Sequence, residues 1–433
     1  MPDERPPVHV VIVGAGFAGV ACAKRLATDP RVRVTILDRT GYHQFQPLLY
    51  QVATAELTCS DIVFDLEQLF AKHGTVEVRT AEVVSVDPAT TSVTLSDGQT
   101  VAGDVLVLAA GAQPNFFHTP GAEQHAYPLY SVEDARRVRS RVLRIFADVA
   151  DNPDLAAEGA LNFVVVGGGP TGVETAGALA ELVYDVMPHR HHGLAVSGAQ
   201  VILVDLGPAV LGAFSEAAHT YATKQLQRRG VQLRLGVSAT EVAPDHVRLS
   251  DGTTIRTRLV VWGGGVMAAP LADRSNLPQG RGGRIDVRPD LTVTGHPSVY
   301  ALGDFANTPS GDDALPGLGS VAQQAGAWAA SNILADLDGT VREPFHYHDK
   351  GIMAMIGRKA AVAEIGEHRH EMHGRVAFAA WLGVHAQLLA NAGAEVKAFL
   401  AWAEEYYVRP HHRSAALLDP SKVDTPRIDW HHG

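Results

Sequence analysis

The sequence predicts an α/β protein built on two parallel sheets, and three observations carry that prediction. Short apolar runs rich in β-branched residues recur along the chain, as expected of parallel strands buried on both faces. Two of these runs lead straight into glycine-rich turns followed by helical patterns. Each of those helices is followed by another apolar run that ends on an aspartate.

In chain order, the run at 8–13 (VHVVIV) opens into GAGFAG, with Gly14, Gly16 and Gly19. A helical pattern through Val20, Ala21, Ala23 and Leu26 follows, and a second run at 32–37 ends at Asp38. Gly14 permits a tight turn, Gly16 lets a pyrophosphate approach the backbone, and Gly19 allows close helix–strand packing. The helix N-terminus offers free amides and a positive dipole end, and Asp38 is placed to accept from adenosine ribose hydroxyls. Taken alone, the motif could be an ordinary glycine-rich turn. It recurs, however: FVVV at 163–166 opens into GGGPTG, with Gly167, Gly169 and Gly172, and a helix then leads to a strand at 201–204 ending at Asp205. Two such units predict two Rossmann-like dinucleotide-binding domains, and two dinucleotides suggest a flavin and a nicotinamide between which a hydride passes.

Three further runs fit this plan. The run at 105–108 leaves through Ala109, Ala110, Gly111 and Ala112, and the run at 259–262 leaves through Gly263, Gly264 and Gly265. The run at 299–302 ends at Gly303 and Asp304, where a carboxylate at a strand's C-terminal edge can meet a cofactor's ribityl or pyrophosphate region. Core strands with glycine exits are the plainer reading of the first two. Asp87-Pro88 and Asp97-Gly98 bracket a hairpin signal at 92–95, repeated at 244–252. The resulting plan is an FAD-binding domain at 1–115 and 281–342, an NADH-binding domain inserted at 116–280, and a C-terminal helical segment at 343–433 with apolar runs at 352–356 and 360–365.

Composition narrows the function. The 433 residues are 46% hydrophobic and 19% charged, a globular balance. The net charge of −11, without a basic block, argues against nucleic acid as a partner. Two cysteines, Cys22 and Cys59, exclude a disulfide framework, a cysteine-ligated cluster and a CxxC dithiol. The opening MPDERPP lacks the positive flank of a secretory signal, which points to the cytoplasm. The longest uncharged stretch, 376–394, contains His385, Gln387 and Asn391, which disfavours spanning a bilayer and leaves interfacial contact open.

Four stretches resemble the type II NADH dehydrogenases: FQPLLYQVAT (45–54), FVVVGGGPTGVETAGALAEL (163–182), ALGDFA (301–306) and DKGIMAMIGRKAAVA (349–363). The resemblance runs from the first glycine turn to about residue 408. It implies oxidation of NADH through FAD to a quinone at the membrane surface, without proton pumping. It further implies that Glu174 reaches the nicotinamide, against the plainer reading of an acid that favours the helix macrodipole. Asp205 is then the NADH ribose ligand, and the lack of Arg or Lys from Leu206 up to Lys224 favours NADH over NADPH. The acceptor is expected near the 46–51 segment, Gln51 included, and Gln324.

The chain departs from the family pattern in two places. In LPGLGSVAQQAG (315–326) the first of two expected glutamines reads Ser320, and Gln324 alone is matched. Near the C-terminus Val396, Phe399, Leu400, Ala403 and Tyr407 follow helical spacing, but Glu404 and Glu405 interrupt the aromatic face beside Trp402 and Tyr406. That helix suits the protein's own body, a partner subunit in a homodimer, or the inner face of the plasma membrane. His189, His191 and His192, and His368, His370 and His373, lack metal-site spacing and read as exposed loops, so no metal is expected. The lone Cys59 argues against sulfide–quinone chemistry. A reductase with a non-quinone acceptor and a nucleotide-responsive flavin-binding module are the competing readings.

Overall fold

The computed structural model describes residues 6–190, 198–311, 313–366 and 368–387. His191, His192 and the 396–407 pattern lie outside these residues. The chain divides into two compact units. One comprises Met1–Gln44, Val63–Gln113 and Val266–His348, and the other Phe45–Ile62, Pro114–Gly265 and Asp349–Gly433.

Among the described residues the first unit carries a six-stranded sheet in the order Thr292–Val293, His296–Ala301, Val105–Leu108, Val8–Val13, Val32–Asp38, Val76–Thr80. All neighbours are parallel except the first pair. Side chains alternate across the sheet, as strand geometry requires. Val10, Ile12, Val34 and Ile36 enter a core with the helices Phe17–Leu26 and Gly319–Leu337. Val11, Val13, Leu37 and Leu106 enter a second core beneath the antiparallel strands Val83–Asp87, Ser92–Leu95 and Thr100–Ala102. Burying one such Ile or Leu stabilises the fold by roughly 1.5–3 kcal/mol. The two helices approach closely because Gly326 lacks a side chain: a Cβ there would lie 2.1 Å from the Ala18 carbonyl oxygen.

The second unit carries a fully parallel five-stranded sheet: Tyr127–Pro128, Leu259–Trp262, Asn162–Val166, Gln200–Asp205, Val231–Leu235. Val164, Val166, Ile202 and Val204 pack with Val242, Val247 and Leu249 of a three-stranded antiparallel sheet. The helix Val132–Asp151 begins at a capping box, Ser131 with Asp134, and its Phe146 ring stacks 5.6 Å from Phe163. The helix Pro170–Glu181 continues through a π turn at Leu182–Val186.

Among the described residues of the C-terminal segment the helix is Arg375–Gln387; ahead of it lie antiparallel strands Gly351–Gly357, Ala360–Ile365 and His370–His373. The apolar runs at 352–356 and 360–365 lack helical spacing, and Lys359 at φ 63° turns the chain tightly between them. Trp381 is fully buried and His385 nearly so, stacked at 4.0 Å, with Trp381 against Tyr50 and His385 against Phe45. Among the described residues no helix is long and apolar enough to cross a membrane.

Candidate active site

The two glycine turns have the same geometry. Gly14 (φ 96°) and Gly167 (φ 114°) occupy backbone that a side chain disfavours. A Cβ would lie 2.3 Å from the Ala109 carbonyl oxygen in the first turn and 2.4 Å from that of Gly263 in the second. The neighbouring strand exits are therefore pressed onto the turns, with Ala110 and Gly111 following in the first. The third glycines face inward as well, with Cβ positions 2.0 Å (Gly19) and 1.8 Å (Gly172) from the carbonyl oxygens of Gly14 and Gly167. The middle glycines differ. Gly16 and Gly169 are the N-caps of Phe17–Leu26 and Pro170–Glu181, in extended backbone, and a Cβ on either meets no protein atom within 4 Å. Both turns thus keep open space before a row of helix amides, which fits a pyrophosphate.

The aspartates close these cradles. Asp38 Oδ2 accepts from the Ala15 amide at 2.8 Å, and Oδ1 from the Thr40 amide (2.8 Å) and hydroxyl (2.7 Å). Asp205 Oδ2 accepts from the Gly168 amide and Oδ1 from the Gly207 amide at 2.7 Å. Each carboxylate thus ties its strand end to the glycine turn, while lone pairs remain for a ribose. Gly303 (φ 64°) places Asp304 beside Gly317, just ahead of the Gly319–Leu337 helix, where a Cβ on Gly317 would sit 2.9 Å from Asp304 Oδ1.

Glu174 belongs to the second unit and is buried at 9% exposure. It lies beyond the first helical turn. Its Oε1 accepts from the Met355 amide at 3.0 Å. Burial pushes its carboxyl up to about 8, against the opposing pull of the Met355 amide and of the polar edge of the nearby Trp381 side chain. Met355 and Trp381 are site neighbours without a role in the sequence reading. Close packing makes the Met355 contact: Gly177 lies against the Ile356 carbonyl, where a Cβ would come within 2.1 Å. A cleft lined by Tyr50, Glu56, Glu174, Glu181, Met355 and Arg358 opens beside it.

Gln51 and Gln324 lie in different units. Gln51 is fully buried on the short helix Leu49–Ala53, and its carbonyl accepts from the Glu56 amide at 2.7 Å. Gln324 gives its whole amide to the His348 backbone, donating to the carbonyl and accepting from the amide, both at 3.0 Å. It belongs to a stripe at four-residue spacing that straps residues 341–348 along the Gly319–Leu337 helix. Ser320 bonds the Tyr347 hydroxyl at 2.9 Å, Trp328 the Glu343 carbonyl at 3.0 Å, and Asn332 the Glu343 backbone at both ends. Cys22 is buried, which pushes its thiol up to about 12, and Cys59 is a free thiol. His368 and His370 lie 6.2 Å apart and His373 lies on Tyr221; among the described residues no group of three or more metal-ligating side chains converges.

The pyridine nucleotide-disulphide oxidoreductase family model matches residues 8–326. The type II NADH:quinone oxidoreductase Ndh of Mycobacterium tuberculosis is 36% identical over 419 residues, covering 93% of this chain and 89% of the relative. The external alternative NAD(P)H-ubiquinone oxidoreductase B4 of Arabidopsis thaliana is 32% identical over 69% of this chain and 54% of its own length. In fold, NDH2 of Plasmodium falciparum in complex with NADH superposes with a TM-score of 0.84 at 18% identity, covering 94% of this chain and 99% of that one. The sulfide:quinone oxidoreductase of Aquifex aeolicus superposes at 0.73 and 17% identity, covering 93% of this chain and 94% of that one. With a family model over most of its length and a relative this similar over nearly all of it, the chain belongs to the pyridine nucleotide-disulphide oxidoreductase family and, within it, to the type II NADH:quinone oxidoreductases.

Proposed function

We propose that this protein is an FAD-dependent enzyme that oxidises NADH and passes two electrons to a quinone without pumping protons. The observation that carries this reading is the duplicated cradle, one in each unit, with the middle glycine left open before a helix N-terminus. Gly14, Gly16, Gly19, Asp38, Ala110, Gly111, Gly303 and Asp304 would hold FAD, and Gly167, Gly169, Gly172 and Asp205 would hold NADH. Bound FAD supplies a ring that takes the hydride and releases its electrons to the acceptor. The protein's own work is positioning, because hydride passage needs oriented rings and no protein nucleophile. Glu174 stands at the nicotinamide end of its helix and is a carboxyl that holds its proton near neutral pH. Gln51 and Gln324 belong to the acceptor side, where Gln324 acts by holding the 341–348 strap in place.

The site of action is the membrane surface on the cytoplasmic side. Supporting this, the Arg375–Gln387 helix buries Phe378 and Trp381 while Val376 and Val384 stay 66% and 38% exposed on a face without charge. A homodimer closing over that face is the competing arrangement, and sedimentation with and without liposomes separates the two. The decisive experiment is stopped-flow mixing. NADH should bleach the flavin, and a quinone should restore its colour at a catalytic rate. Bleaching followed by re-oxidation with a non-quinone acceptor only would replace quinone as the substrate. A flavin that excess NADH does not bleach would leave a nucleotide-responsive binding module.

A further inference from the structure

In each glycine turn one residue is held by both of its backbone groups. In the first turn it is Ala15, whose amide donates to Asp38 Oδ2 at 2.8 Å and whose carbonyl lies 2.9 Å from Nδ1 of the His43 ring. A carbonyl oxygen only accepts, so Nδ1 carries the ring's hydrogen and donates. In the second turn it is Gly168, whose amide donates to Asp205 and whose carbonyl accepts from the Leu211 amide at 2.6 Å. Both donors arrive shortly after the strand-end aspartate, but one is a side chain and the other is backbone. Leu211 takes φ 59°, a backbone that a side chain disfavours. Such strain persists only where the surrounding structure enforces it.

A trans peptide points its C=O and the following N–H in opposite directions. The bond to the Ala15 carbonyl therefore turns the Gly16 amide away from the His43 ring. Gly16 is the glycine left open before the Phe17–Leu26 helix, and amides at such a turn are what a pyrophosphate meets. We propose that His43 is a positioning residue for FAD: its Nδ1–H holds the Ala15 carbonyl and so sets the direction in which the first cradle offers its Gly16 amide to the pyrophosphate. The inference rests on the reading above that this cradle holds FAD.

The fold fixes the ring in place. His43 is the inward residue of the strand Tyr42–Gln44 and stands opposite Phe64 of the strand Val63–Asp65. It is 5% exposed, with Phe17 edge-on at 5.3 Å and Phe64 stacked at 6.2 Å. Burial holds the ring below the ordinary histidine range and Lys24 adds to this, while the Ala15 carbonyl and Asp38 oppose it. Ala15 is itself buried, so its carbonyl has little water to turn to when the donor is lost. The competing reading is a ring that only fills space between Phe17 and Phe64.

Two substitutions separate these readings. His43→Phe keeps an aromatic ring between Phe17 and Phe64 and removes the donor. His43→Asn gives up the ring and can carry an amide nitrogen at the Nδ1 position. The readout is the rate at which the purified holoprotein releases FAD on dilution, followed by the rise in flavin fluorescence. His43→Phe should release FAD roughly tenfold faster than the wild type, as expected for one buried hydrogen bond, and His43→Asn should stay close to the wild type. Wild-type release from His43→Phe overturns the proposal. Release from His43→Asn as fast as from His43→Phe also overturns it, because packing is then what the ring supplies. If His43→Phe does not fold, His43→Gln takes its place. Its amide nitrogen lies one bond further out, so it should release FAD faster than His43→Asn, and equal rates overturn the proposal. A wild type that purifies without FAD and cannot be loaded with it removes the functional reading. Hydrogen exchange in the full chain then decides the clamp: the Ala15 amide should exchange faster in His43→Phe and His43→Gln than in the wild type and His43→Asn, and equal exchange overturns it.

Discussion

Replacing Glu174 by Gln tests the buried carboxyl through stability alone, without any cofactor. In the folded protein Glu174 keeps its proton up to about pH 8, whereas the unfolded chain loses it near the ordinary value of 4.5. Between these values folding takes up a proton, so stability falls as pH rises, by about 1.4 kcal/mol per pH unit. Below the unfolded value both states are protonated and the effect vanishes; above the folded value it is complete, at roughly 5 kcal/mol. Gln cannot ionise, so Glu174→Gln lacks this slope, and its amide oxygen can still accept from Met355. The swap also presents an amide donor toward the Trp381 indole, which adds a penalty independent of pH. The measurement is urea unfolding of both proteins at unit intervals from pH 5 to 9, followed by circular dichroism and tryptophan fluorescence. The variant should gain on the wild type steadily up to about pH 8 and then hold level. A difference that stays flat across this range, or a wild type that gains with pH, would refute the buried neutral carboxyl.

The glycine turns give a sharper contrast at matched chemistry. Gly16→Ala should change stability by no more than about 1 kcal/mol, since its backbone suits Ala, yet lose FAD; Gly169→Ala should keep FAD and lose NADH affinity. Gly19→Ala places a methyl 2.0 Å from a carbonyl oxygen and should fail to fold. Retained FAD content in purified Gly16→Ala would contradict the cradle. Asp205→Asn should narrow the preference for NADH over NADPH, because a unit charge near a 2′-phosphate amounts to a few kcal/mol at most, roughly 3–4 at an effective dielectric of 20; equal wild-type kcat/KM for both nucleotides would contradict it. Val376→Asp combined with Val384→Asp leaves Trp381 and His385 in their packed positions and should still reduce a soluble acceptor while losing turnover with quinone in liposomes. Cutting at Arg375 would instead remove the fully buried Trp381 and should unfold the second unit. Unchanged liposome turnover in the double variant would place membrane contact elsewhere.

Much of the architecture was legible in the sequence because it depends on neighbours in the chain. A positive-φ glycine after a β-branched run, a helix that begins three residues later and an aspartate at the next strand end are local patterns, and each recurs in the structure where the spacing puts it. What the spacing does not contain is contact between distant segments. Glu174 becomes a neutral buried acid only because segments far along the chain pack over it and exclude water, while the Met355 amide, 181 residues further on, pulls the other way. The 45–54 run shows no periodicity because its second helical turn, Leu49–Ala53, is buried on every side, so no polar face marks a phase. Gln324 reads as a ligand in the sequence, yet the fold gives its amide to the His348 backbone. Gly16 and Gly19 are the same residue in one motif, and packing alone makes the first a space for a cofactor and the second a point of contact. Local backbone chemistry chose the elements; burial and hydrogen bonding across long loops, which act on distance in space rather than along the chain, decided which side chains became a site.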